Sequence, residues 1–141
     1  MKTSARNTIE GTVSKITKGA VNSEVELTSK GGSKIVAIVT NGSVDALGLK
    51  IGSKAYALIK ASWVILGKDL HNAKLSARNM FCGEVVSVHD GAVNAEVAFR
   101  IAGGEVLTSI ITEGSTKTLE LKAGDHVCAI VKASSVILAV A

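Results

Sequence analysis

The four residues Ser4-Ala5-Arg6-Asn7 return as Ser76-Ala77-Arg78-Asn79, and this recurrence constrains the chain more than any other feature. A shift of 72 positions lays residues 4–67 on 76–139 without a gap, and 29 of the 64 aligned positions are identical. The match runs through Gly19-Ala20-Val21-Asn22 and Gly91-Ala92-Val93-Asn94, then Gly31-Gly32 and Gly103-Gly104. It continues through Lys60-Ala61-Ser62 and Lys132-Ala133-Ser134 to Val64-Ile65-Leu66 and Val136-Ile137-Leu138. A repeat of this length is one supersecondary unit used twice. The 141 residues thus divide into a first unit, 1–67, a polar linker, 68–75, and a second unit, 76–141. Units this small lie near the lower limit of independent stability, so each is expected to bury apolar surface against a neighbour.

Inside each unit the apolar residues alternate. Val21, Val25 and Leu27 interleave with Asn22, Glu24 and Glu26, the period of a half-buried strand. Gly11 interrupts a strand from Thr8 to Ile16 and marks a bulge or bend. Lys30-Gly31-Gly32-Ser33 turns a hairpin into a strand from Ile35 to Val39. Thr40-Asn41-Gly42-Ser43 precedes one or two helical turns at Val44–Leu47, capped by Thr40 or Ser43 and stopped near Gly48. A fourth strand, Ala55–Lys60, and a short fifth, Trp63–Leu66, complete the unit. The second unit repeats this order, with strands near Met80–Val88, Val93–Phe99, Val106–Ile111, His126–Lys132 and Val136–Val140 and a helical turn at Ser115–Leu119. The predicted fold is all-β: two tandem OB-like five-stranded barrels, each with one short helical turn. No proline blocks a strand edge, which suits units that pair with one another.

An apolar fraction of 47 % argues for a folded chain. No apolar run approaches the roughly 20 residues that span a bilayer, and no membrane partner is expected. Met1-Lys2-Thr3 leads straight into the repeat without room for a signal peptide, so the expected location is the cytoplasm. The net charge of +4 comes from lysines spread along the chain and suits anions without specifying nucleic acid. Cys82 and Cys128 align with Glu10 and Tyr56; outside the repeated design, they are expected as free thiols.

The repeated polar residues that turns and core do not explain are Ser4, Arg6, Asn7, Thr40, Ser43, Lys60 and Ser62, with Ser76, Arg78, Asn79, Thr112, Ser115, Lys132 and Ser134. They comprise guanidinium, ammonium, hydroxyl and amide donors and no carboxylate. Loop amides at Ala61-Ser62 and Ala133-Ser134 add neutral donors. Such a set fits a small, fully deprotonated oxyanion, which accepts hydrogen bonds everywhere and donates none.

The string SARN-x-x-x-G-x-V, followed by G-A-V-N-x-E-V, G-G, T-x-x-S-x-x-x-L and K-A-S-x-V-I-L, resembles the Mop domain in both units. Mop is the molybdate-binding module of molbindins, of molybdate-responsive regulators and of transporter ATPases. Two copies alone resemble the double-Mop molbindins, which implies cytoplasmic molybdate storage, with tungstate as a close substitute, and no catalytic cofactor. The resemblance places molybdate between units. Ser4 and Arg6 (with Asn7) would meet Thr40, Ser43, Lys60, Ala61 and Ser62 of another unit, and Ser76 and Arg78 (with Asn79) would meet Thr112, Ser115, Lys132, Ala133 and Ser134. A second class of site, on a threefold axis, maps to the backbone of Gly19, Ala20, Val21 and Asn22 and of Gly91, Ala92, Val93 and Asn94. The implied assembly is a homotrimer, a ring of six units. Glu113 replaces Asn41, and a carboxylate there is expected to weaken binding of a dianion in the second unit.

Three rivals weigh less. A nucleic-acid-binding OB module needs aromatic platforms, yet Tyr56, Trp63, Phe81 and Phe99 form no repeated aromatic pair. Ser-His-Asp catalysis needs a base, and His71, His89 and His126 have no counterpart in the other unit, so no enzyme is expected. His126 and Cys128 share a strand face but find no third metal ligand.

Overall fold

The computed structural model describes residues 1–70 and 72–141; the linker position His71 lies outside the described residues. The first repeat forms β1 (Asn7–Lys18), β2 (Asn22–Ser29), β3 (Lys34–Thr40), α1 (Asn41–Leu47), β4 (Lys54–Ile59) and β5 (Ile65–Gly67). The second forms β6 (Asn79–Asp90), β7 (Asn94–Ile101), β8 (Val106–Thr112), α2 (Glu113–Thr118), β9 (His126–Val131) and β10 (Ile137–Ala139). A single 3-10 turn, Ala61–Trp63 or Ala133–Ser135, precedes each short last strand.

The fold is all-β with two five-stranded sheets, but the last strands are exchanged. One sheet runs β10-β4-β1-β2-β3 and the other β5-β9-β6-β7-β8, so each repeat supplies four strands to its own sheet and the fifth to its neighbour's. Leu138 pairs with Ala57 and Leu66 with Ala129. Each exchanged strand buries one leucine, worth roughly 1.5–3 kcal/mol. The exchange merges the two interiors: Val64, Leu66, Phe99, Leu107, Leu27, Ile35 and Leu138 belong to one continuous core. The burial that a unit of this size lacks on its own thus comes from its partner repeat.

The alternation read from the sequence holds along β2, where Ser23, Val25, Leu27 and Ser29 point inward. Val21 departs from it, 71 % exposed at the tip of the β1–β2 hairpin. The ladder of β1 slips between Val13 and Lys15, and that of β6 between Val85 and Ser87. A Cβ on Gly11 would lie 2.9 Å from the Thr28 carbonyl oxygen, which is why only glycine fits beside this bulge. Thr40 caps α1 and Thr112 caps α2, each hydroxyl accepting from the amide of Ser43 or Ser115. The second helix therefore begins at Glu113, earlier than the expected Ser115. Gly48, at φ 64°, closes α1, whereas α2 has no such glycine and Glu120 takes the left-handed conformation instead.

The expectation of free thiols is overturned: Cys82 and Cys128 form a disulfide. They face each other across β6 and β9, with Cα atoms 3.9 Å apart. Glu10 and Tyr56 occupy the same opposed positions in the first sheet.

Candidate anion-binding site

Strand register decides which candidate residues can meet. Asn7, at the start of β1, pairs with Ile59 at the end of β4, so Arg6 and Lys60 emerge together at one end of the ladder. Thr40, at the end of β3, pairs with Asn22, which lies beyond the opposite end of β1. Thr40 and Lys60 of one repeat therefore stand apart, and the grouping expected from the resemblance changes. The 3-10 turn after Lys60 packs on β8 of the other repeat, and the turn after Lys132 packs on β3. A cavity of about 550 Å³ opens at the first of these junctions, lined by Ser62, Ile65, Asn94, Ile110, Thr112 and Ser115 among others. The structure thus brings Ser62 of one repeat beside Thr112 and Ser115 of the other, with Lys60 and Ala61 just before it in the chain. In the counterpart junction the Ala133–Ser135 turn packs on β3, the strand that ends at Thr40.

Asn7 and Asn79 take a different role from the one expected. Both are 2 % exposed, and their amides are spent on backbone across the junction. Asn7 Nδ2 donates to the carbonyls of Ile59 (3.2 Å) and Thr108 (2.8 Å), and its Oδ1 accepts from the Thr108 amide (2.7 Å). Asn79 brackets Val36 in the same way, at 2.7 and 2.8 Å. These asparagines complete the edge strands β8 and β3 of the other repeat, which explains why the position is repeated without making it a ligand.

Of the remaining candidates Ala61 and Ala133 are buried, and the others lie at or near the surface. Ser4 and Ser76 are exposed at bends just before the first strands. Lys60 and Lys132 are exposed, and the Lys60 ammonium sits 5.8 Å from the centre of the Trp63 ring, a cation–π contact that Ser135 cannot offer Lys132. Thr40 and Ser43 share a hydroxyl hydrogen bond of 2.8 Å, as do Thr112 and Ser115. The hairpin tips Gly19–Asn22 and Gly91–Asn94 close through Gly19 N–H to the Asn22 carbonyl (2.8 Å) and Gly91 N–H to the Asn94 carbonyl (2.9 Å). Each tip is tied to the adjacent helix start, since Asn41 N–H donates to Val21 and Glu113 N–H to Val93.

Sequence reasoning missed two residues here, Glu24 and Glu96. Arg6 of the first repeat bonds Glu96 on β7 through both terminal nitrogens, Nη2 to Oε1 at 2.5 Å and Nη1 to Oε2 at 3.3 Å. Arg78 bonds Glu24 on β2 at 2.6 Å. The pairing with Arg6 holds the Glu96 carboxyl below the ordinary carboxylate range, chiefly through its hydrogen bonds, and raises the Arg6 guanidinium in turn. The signal was present in the repeat, because Glu24 and Glu96 are aligned and identical. In an alternating strand such residues read as its solvent side. Beside the cavity, Glu113 has one carboxylate oxygen buried with no hydrogen-bond partner among the described residues.

The TOBE domain family matches the chain twice, over residues 3–66 and 75–138, and the chain belongs to that family. Among its relatives, the molybdenum transport protein ModE of Azotobacter vinelandii is 42 % identical over 140 residues, 99 % of this chain and 52 % of that protein. The molybdenum-pterin-binding protein MopA of Rhodobacter capsulatus is 41 % identical over 139 residues, again 99 % of this chain and 52 % of that protein. The chain thus spans about half the length of either relative. A crystal structure of the cytoplasmic molybdate-binding protein ModG, with molybdate bound, matches with a TM-score of 0.96 at 45 % identity and covers 100 % of both chains.

Proposed function

We propose that the chain binds molybdate, and tungstate by the same chemistry, at the junctions between its repeats. The observation that carries this reading is the full-length likeness, at 45 % identity, to a protein solved with molybdate bound. The donor chemistry supports it independently. Arg6, Lys60 and Ser62 with Thr112 and Ser115 would hold one ion; Arg78, Lys132 and Ser134 with Thr40 and Ser43 would hold its counterpart. Ser4 and Ser76, with the Ala61 and Ala133 amides, complete the two shells, while Asn7 and Asn79 build the junction. Molybdate at neutral pH carries two negative charges and no proton, so every one of these donors finds an acceptor. The exposed tips Gly19–Asn22 and Gly91–Asn94 are proposed as a second class of site in a homotrimer of six repeats. The exposed Val21 and Val93, 71 % and 73 % exposed, suit burial at such an assembly's axis. The role that follows is binding and storage in the cytoplasm rather than catalysis.

Calorimetric titration with molybdate, tungstate, sulfate and phosphate tests the reading, with light scattering on the same samples. Tight uptake of the first two ions by a trimer is expected. A monomer that binds none of the four would overturn it.

A further inference from the structure

Four ion pairs join the described residues, and two of them recur between the repeats: Arg6 with Glu96 and Arg78 with Glu24. Lys54–Glu10 and Lys68–Asp125 have no counterpart. The recurring pairs are half-exposed, with arginine side chains 47 % and 52 % and glutamates 39 % and 33 % accessible. Pairs so exposed add little to stability, so folding alone gives weak reason for both copies to keep them. Their position gives a better one. Glu96 is two residues from Asn94 on the same face of β7 and pairs across with Ile110, and both of those residues line the junction cavity. Arg6 is therefore fastened beside residues that line the cavity.

The geometry points to Glu24 and Glu96 as positioning residues of the anion site, each fixing the arginine contributed by the other repeat. This rests on the molybdate reading above. Glu96 takes one N–H from each terminal nitrogen of Arg6, so Nε–H and the outer Nη–H groups stay available for a second bidentate partner. An arginine held in this way presents two donors at a set spacing, which favours the tetrahedral anion whose oxygens match. The carboxylate also offsets the guanidinium charge, so a loose, non-selective attraction for every anion is reduced. A site of this kind selects by fit.

Glu96→Gln keeps the shape of the side chain and removes its charge; Glu24→Gln does the same for the other junction. Both variants, and the pair combined, are titrated with molybdate and with sulfate, and their melting curves are recorded. Glu96→Gln is expected to weaken molybdate binding about tenfold at one set of sites, the lower end of what loss of a ligand-orienting partner costs at metal centres. Sulfate binding should hold or tighten, so that the molybdate-to-sulfate ratio falls; Glu24→Gln should do this at the other set, and the double variant at both. A parallel gain for both anions would mean that the carboxylate only competes for the arginine, and would overturn the proposal. Unchanged isotherms with a lower melting temperature would reduce the pair to a clamp between repeats and overturn it too. Wild-type protein that takes up no molybdate would bring down the functional reading together with this inference; failure in the variants alone brings down only the inference.

Discussion

The two repeats build the same scaffold with different local chemistry. In the first, Asn41 is satisfied on both sides: its Oδ1 accepts from Ser23 Oγ at 2.6 Å and its Nδ2 donates to the Gly19 carbonyl at 3.0 Å. In the second, Ala95 stands for Ser23 and Glu113 for Asn41, and a carboxylate oxygen is left buried without a partner. The first sheet opposes Glu10 to Tyr56 where the second has its disulfide. Several residues that stay identical, by contrast, reach the other repeat. Asn7 and Asn79 complete its edge strands, Arg6 and Arg78 bond its glutamates, and the Val-Ile-Leu strands join its sheet. Gly31 and Gly103 touch so closely that a Cβ on Gly31 would fall within bonding range of the Gly103 carbonyl. Part of the identity between the copies thus lies at their junction, where one residue serves both repeats.

The largest effect is expected from breaking that junction. Asn7→Ala releases the amide and carbonyl of half-buried Thr108 and one bond to the Ile59 carbonyl, and Asn79→Ala orphans the buried amide and carbonyl of Val36; at roughly 1–3 kcal/mol for each group of the edge strand, each variant should cost about 2–6 kcal/mol in urea unfolding. The two losses should be similar and should melt the whole molecule in one transition, since the exchanged strands tie the sheets together. Two separate transitions would break the comparison at its root. Next comes the feature that only one repeat has. The disulfide closes a separation of 46 residues, and its removal by Cys82→Ser with Cys128→Ser should cost about 2–4 kcal/mol on chain entropy. A loss of that size matched by simple reduction of the wild type would sharpen the contrast between repeats. The smallest effect is a gain: Glu113→Asn with Ala95→Ser transplants the satisfied pair of the first repeat into the second. Relief of a buried, unpartnered oxygen should add about 1 kcal/mol to stability. It should also tighten anion binding at the Thr112 junction, and no change in either quantity would mean that Glu113 is already solvated.

Local patterns were readable and partnerships were not. The order of strands along the chain, a bulge or bend near Gly11 and a hydroxyl cap at Thr40 or Ser43 followed from period-two alternation, glycine placement and hydroxyl chemistry within a few residues. The strand exchange could not follow, because Val64-Ile65-Leu66 and Val136-Ile137-Leu138 are identical and would fit either sheet equally well. Asn7 and Asn79 read as ligand donors because nothing in the sequence reveals an edge strand of the other repeat waiting for an amide. Cys82 and Cys128 needed the β6–β9 register, which only pairing in three dimensions supplies. Packing of the Ala61–Trp63 turn on β8 placed Ser62 beside Thr112 rather than Thr40.

The central claim is that each site draws its lysine and its hydroxyls from different repeats, and calorimetry on paired variants tests it most directly. Lys60→Met removes a charge-assisted contact worth roughly ten- to a hundredfold in affinity, and should do so at only part of the bound molybdate. Adding Ser115→Ala should weaken those same sites further and leave the remaining ones near wild type, because Ser115 belongs to the same junction. Adding Ser43→Ala instead should weaken the sites that Lys60→Met had spared, so that no wild-type class survives. The opposite pattern, with Ser43→Ala acting on the sites already lost and Ser115→Ala on the rest, would contradict the account.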